Sequence, residues 1–114
     1  MSAATEWFDV AASDEISEGD VRTFAAGTAR VAVARAEGTL YAVQDRCSHD
    51  DGPLGEGCLD GFAVQCPRHG ARFDIRNGGV VAAPALVGIG TFEIREVEGR
   101  VQIAAPAADP DEDW

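Results

Sequence analysis

Basic residues are scarce in this chain, and lysine is missing altogether. Nine arginines face twenty aspartates and glutamates, leaving a formal charge of −11. A surface of that sign repels nucleic-acid phosphates and anionic lipid, so neither nucleic acid nor a membrane is an expected partner. Docking onto a basic patch of another protein fits the sign, although acidity also simply keeps a small protein soluble. No apolar run approaches the length that crosses a bilayer. The opening MSAATEWFDV has neither a basic region nor an apolar core, so no secretory signal is expected there. These absences together point to the cytoplasm, where thiols stay reduced.

Helical signals are equally thin. No segment sustains a capped apolar stripe at helical spacing, and residues 9–18 offer one turn at most. With 114 residues, 46% hydrophobic and 25% charged, the chain can still bury one domain-sized core without disulfide staples. What remains is strands and turns. A first strand is expected at 7–10, with Trp7 or Phe8 buried, followed by a polar connection over 12–20. Strands at 21–26 and 29–36 flank Gly27 and Thr28, and a third at 40–44 runs into Cys47. In the middle one, Val31 and Val33 alternate with Ala32 and Ala34, so one face is branched and the other small. Short strands at 58–59 and 62–65 turn at Asp60-Gly61, 71–75 and 80–82 flank Asn77-Gly78-Gly79, and residues 83–90 form an apolar loop. A last hairpin, 91–97 with 100–103, turns at Glu98-Gly99. The pattern predicts an all-β, antiparallel sandwich or barrel over residues 1–104, followed by an acidic, disordered tail at 105–114.

Histidine and cysteine are rare, and their placement is far from even. Both histidines and all three cysteines fall between Asp45 and Asp74. Cys47 and His49 form a C-x-H pair; sixteen residues separate it from the C-x-x-H pair of Cys66 and His69. Each pair sits among turn residues: Asp50, Asp51, Gly52 and Pro53 after the first, Pro67 and Gly70 around the second. Four ligand-type side chains on two loops describe a metal site. Structural zinc usually takes two thiolates from one knuckle, whereas each turn here mixes one thiolate with one imidazole. That mixture suits two metals ligated differently. Disulfides fit poorly, because three cysteines leave one over. Coincidence fits poorly too, with four such residues in 23 positions.

The run C-S-H, then C-P-R-H-G after sixteen residues, resembles the C-x-H … C-x2-H-G motif of the Rieske [2Fe–2S] proteins. The resemblance extends over roughly residues 7–103. It implies a Rieske-like fold with a cluster-binding subdomain of two ligand loops at about 45–84. Cys47 and Cys66 would hold the inner iron, His49 and His69 the outer one, with the histidine edges as the electron exit. The loop around Pro84 would correspond to the family's shielding proline loop.

Departures from the wider family are informative. High-potential members carry an extra disulfide-forming cysteine in each ligand loop; those places are Gly52 and Arg68 here. They also place a serine and a tyrosine where this chain has Ala71 and Phe73. Hydroxyl hydrogen bonds stabilise a reduced cluster, so their loss and a charge of −11 favour the low end of the Rieske range. That end is roughly −150 mV rather than +300 mV. Cys58 matches no ligand position and is expected to be a small buried residue. Arg46, Arg68 and Arg72 flank the ligands, with ordinary solvated charge as their default, and Asp50, Asp51 and Glu56 are expected to serve turns and solubility.

The chain is most similar to the ferredoxin components of bacterial multicomponent ring-hydroxylating dioxygenases. The resemblance implies a monomeric one-electron carrier, not itself catalytic, between an NAD(P)H-dependent flavoprotein reductase and a terminal non-haem iron oxygenase. A mononuclear iron site would need two further histidines, and both are already committed. The alternative is the small Rieske-like subunit of an NAD(P)H nitrite reductase, which often lacks the four ligands found here.

Overall fold

The computed structural model describes residues 5–27, 29–46, 54–67, 70–83 and 88–106. Among the described residues ten strands follow one another: β1 (Thr5–Ala12), β2 (Val21–Ala26), β3 (Ala29–Ala36), β4 (Thr39–Gln44), β5 (Cys58–Asp60), β6 (Ala63–Gln65), β7 (Arg72–Asp74), β8 (Val80–Ala82), β9 (Thr91–Val97) and β10 (Arg100–Pro106). One-turn 3-10 helices occupy Ser13–Glu15 and Leu54–Glu56, and the described residues contain no α-helix. All strand pairs are antiparallel. Six strands form a sheet in the order β1-β10-β9-β4-β3-β2, whose edge strands approach each other so that it nearly closes into a barrel. The other four form a small sheet, β5-β6-β7-β8. The all-β expectation holds.

Strand β3 explains how the two sheets share one molecule. Side chains alternate across a strand, so Val31 and Val33 point one way and Ala32, Ala34 and Ala36 the other. The valine face lies inside the barrel with Ala42, Val101 and Ile103. The alanine face packs against Leu54, Val64, Cys66 and Phe73, beneath the small sheet. Methyl groups let that sheet settle close to the barrel wall, where longer side chains would hold it off. Phe62 adds a second tie, meeting Tyr41 edge-on at 6.1 Å between ring centroids.

Several expectations need correction. The first strand is longer than predicted; Phe8 packs on the barrel core, while Trp7 is 39% exposed and lies under the Arg95 guanidinium at 3.9 Å. Ile16, in the supposedly polar connection, is 1% exposed. Its carbonyl accepts a 2.7 Å hydrogen bond from Arg35 Nε. The β5–β6 turn is Gly61-Phe62, one residue later than expected, because Asp60 pairs with Ala63 and Leu59 with Val64. A slip of one residue would turn the fully buried Val64 outward. Cys58 is exposed, not buried. Strand β10 continues to Pro106 with Ala105 only 1% exposed, so the barrel extends beyond the expected boundary at 104. The rest of the acidic tail, 107–114, lies outside the described residues, as does Pro84.

Two surface ion pairs carry a pH signature. Hydrogen bonding from the Arg76 side chain holds the Asp74 carboxyl below its usual value of 3.8, aided by the Arg76 backbone N–H and opposed by burial. Arg100 does the same for Asp9. A carboxylate with a depressed folded-state pKa adds stability above its unfolded pKa, lost as pH falls through the folded one. Arg76→Ala is therefore expected to lower stability at neutral pH and to cost progressively less below about pH 4. Denaturant titrations of both proteins across that range check it.

Candidate metal centre

Cys66 follows β6 directly, is 1% exposed and belongs to the buried cluster that holds Leu54, Ala71 and Phe73. Its N–H donates to Ala71 O at 2.7 Å, and Gly70 N–H donates back to Cys66 O at 3.2 Å. Cys66 is thus tied to Gly70 and Ala71 across the C-x-x-H pair. Gly70 has φ +79°, a left-handed conformation that any side chain would strain. That gives a physical reason for glycine directly after His69. His69 and Arg68 lie outside the described residues.

Cys47 and His49 also lie outside them, in 47–53, yet both flanks of their segment are visible. Strand β4 ends at Gln44, and Asp45 follows with 2% exposure. Its Oδ1 accepts the Gly55 N–H at 2.6 Å, and its Oδ2 accepts from the Thr23 hydroxyl at 2.9 Å and Arg30 Nη2 at 3.1 Å. Beyond Gly55 the chain runs close to its neighbours: a Cβ on Gly55 would lie 1.9 Å from Thr23 Oγ1, and one on Gly57 would lie 1.9 Å from Gln65 O. Gln65 is the residue before Cys66, so these contacts fix the far end of the first segment against the start of the second. Sequence reasoning overlooked Asp45, Thr23 and Gly55. A carboxylate directly after an apolar strand and two residues before a C-x-H pair was the available signal.

The flanking arginines are accounted for in part. Arg72 Nε donates to Gln65 Oε1 at 3.1 Å, and its Nη1 lies 3.4 Å from Asp60 Oδ2. The apolar return before β9 is anchored by Ile89 N–H donating to Gly78 O at 2.8 Å, with Ile89 itself 9% exposed in the core below the small sheet.

Comparison with known proteins matches residues 6–93 to the Rieske [2Fe-2S] domain. The chain belongs to this family. Its cofactor is one [2Fe–2S] cluster of Rieske type. The donor chemistry of this Rieske domain fits such a group: the sequence supplies a C-x-H and a C-x-x-H pair, and Cys66, the one of those four residues that is described, is buried among apolar side chains. The chain is 36% identical over 99 residues to ferredoxin CarAc of Metapseudomonas resinovorans, covering 86% of this chain and 92% of that protein. It is 36% identical over 105 residues to the anthranilate 1,2-dioxygenase ferredoxin subunit of Burkholderia cepacia, covering 90% and 97%. Among solved structures, a chain from the complex of reduced oxygenase and oxidized ferredoxin in carbazole 1,9a-dioxygenase superimposes with a TM-score of 0.81 at 35% identity, covering 90% of this chain and 95% of that one.

Proposed function

We propose that this Rieske domain is the ferredoxin of a dioxygenase system, a carrier of single electrons and not itself a catalyst, that delivers them to a terminal non-haem iron oxygenase. The observation that carries this is the near end-to-end match to a ferredoxin and to a dioxygenase ferredoxin subunit, 92% and 97% of their lengths. Its donor is a flavoprotein reductase using NAD(P)H, and it works as a cytoplasmic monomer. Among the described residues no helix is long and apolar enough to cross a membrane.

Cys47 and Cys66 hold one iron and His49 and His69 the other, within a cluster-binding subdomain of about residues 45–84. When bound, the cluster supplies a one-electron couple. Ala71 and Phe73, where high-potential members place a serine and a tyrosine, carry no hydroxyl and are both fully buried. An added electron also meets a chain already at −11. Both features favour a low potential. Ala71→Ser and Phe73→Tyr are expected to raise it. A hydrogen bond strengthened by about 1–1.4 kcal/mol on reduction corresponds to roughly 40–60 mV for one electron. Redox titration followed by EPR measures this, and an unchanged or lower potential in both variants contradicts the account. The functional test is reconstitution: NADH oxidation coupled to product formation should require this protein when a dioxygenase reductase and oxygenase are mixed. Turnover that proceeds equally without it rejects the carrier role.

A further inference from the structure

We propose that Asp45 positions the first ligand segment: its carboxylate, bound to the Gly55 N–H and to β2 and β3, fixes both ends of the ring of chain that runs from 45 to 55 and contains Cys47 and His49. This rests on the ligand assignment given above. Asp45 is the one charged residue in the buried set of described residues, at 2% exposure. A carboxylate so placed is costly unless its lone pairs are used, and an apolar side chain would fill the same space more cheaply. Its distinctive contribution is to reach the backbone of Gly55, ten residues on, at 2.6 Å. Those ten residues contain both first-segment ligands.

The ring is also seated. Asp45 N–H donates to Arg30 O at 3.1 Å, and the carboxylate binds the Thr23 hydroxyl and the Arg30 guanidinium. Thr23 serves twice, because its hydroxyl stands where a Gly55 side chain would go. Thr23, Arg30 and Asp45 occupy the barrel face that carries Val21, Ala32 and Val43, the face beneath the small sheet. From Gly55 the register passes to Gly57 and so to Gln65, next to Cys66. Asp45 thereby sets the spacing of one ligand pair against the other, a task that packing alone does not perform.

The experiment compares cluster-loaded wild type with Asp45→Ala, Asp45→Asn and Val101→Ala, the last a destabilising change in the barrel core away from the site. Asp45→Ala should keep its strand circular dichroism but lose iron to a chelator about 10- to 100-fold faster. The EPR lines of its reduced state should shift or broaden. Asp45→Asn, which still accepts from Gly55, should recover most of both. Val101→Ala should match wild type in EPR and in iron loss while folded. Unchanged release and EPR in Asp45→Ala overturn the proposal. So does equally fast release from Val101→Ala at matched unfolding free energy, or an Asn variant no better than Ala. Should Asp45→Ala not fold, Thr23→Val removes a single donor, and wild-type release from it overturns the proposal likewise. Wild type without a Rieske EPR signal would instead reject the ligand assignment.

Discussion

Cys66→Ser is expected to come out colourless, with its six-stranded sheet intact and no capacity to pass electrons. Serine keeps the shape of the site but replaces a polarizable thiolate with a hydroxyl that stays protonated and suits iron–sulfur chemistry poorly. Leu54, Ala71 and Phe73, described residues of the same buried cluster, have no side-chain atom that could replace the thiolate. Cys58→Ser should leave colour, iron content and EPR unchanged. Cys58 is exposed on β5, opposite Gln65, so it is not part of the wall around Cys66. His49→Cys and His69→Cys should behave differently again. Exchanging an imidazole for a thiolate moves the site toward all-sulfur ligation, whose potentials lie near roughly −400 mV. Those variants either lose the cluster or keep colour while losing the Rieske EPR signature. Absorption, iron analysis and EPR on the four proteins decide it. A Rieske signal surviving in Cys66→Ser, or vanishing in Cys58→Ser, rejects the assignment.

Residue type and spacing made the family legible, because few side chains bind iron and they are rare here. Strand boundaries were legible where alternating apolar runs meet turn residues: 21–26, 29–36 and 91–97 coincide with β2, β3 and β9. Other features depend on partners distant in the chain. Ile16 stands alone among acids, without periodicity, and its burial depends on the barrel closing over it. The two-faced burial of β3 was only half visible: the alanine face was evident, but the sheet that uses it was not. The turn at Gly61-Phe62 obeys the inward demand of Val64 over the Asp-Gly preference. Asp45 is the plainest case, since its partners sit 22 and 15 residues before it and 10 after.

Phe73→Ala should lower stability by about 3–5 kcal/mol, the usual result of emptying a closed aromatic site. For a chain of this length that corresponds to roughly 12–20 °C in melting temperature. Phe73 has no exposed surface, pairs with Val64 across β6–β7, and is among the largest side chains beneath the small sheet. The facing strand β3 contributes only alanines, too short to collapse into the gap, so relaxation should recover little. The exposed Val81, 54% accessible on the edge strand β8, should by contrast tolerate alanine within about 0.5 kcal/mol. The damage should also be local. The barrel has its own core around Val31, Val33, Val101 and Ile103, so hydrogen exchange in Phe73→Ala should accelerate in β5–β8 well before β2–β4. Cys66 belongs to the loosened part, and its cluster should be lost to air and chelators at a temperature where the barrel amides remain protected. Uniform acceleration across both sheets would mean that the alanine face couples them into one cooperative unit, and that the metal centre cannot open without the barrel.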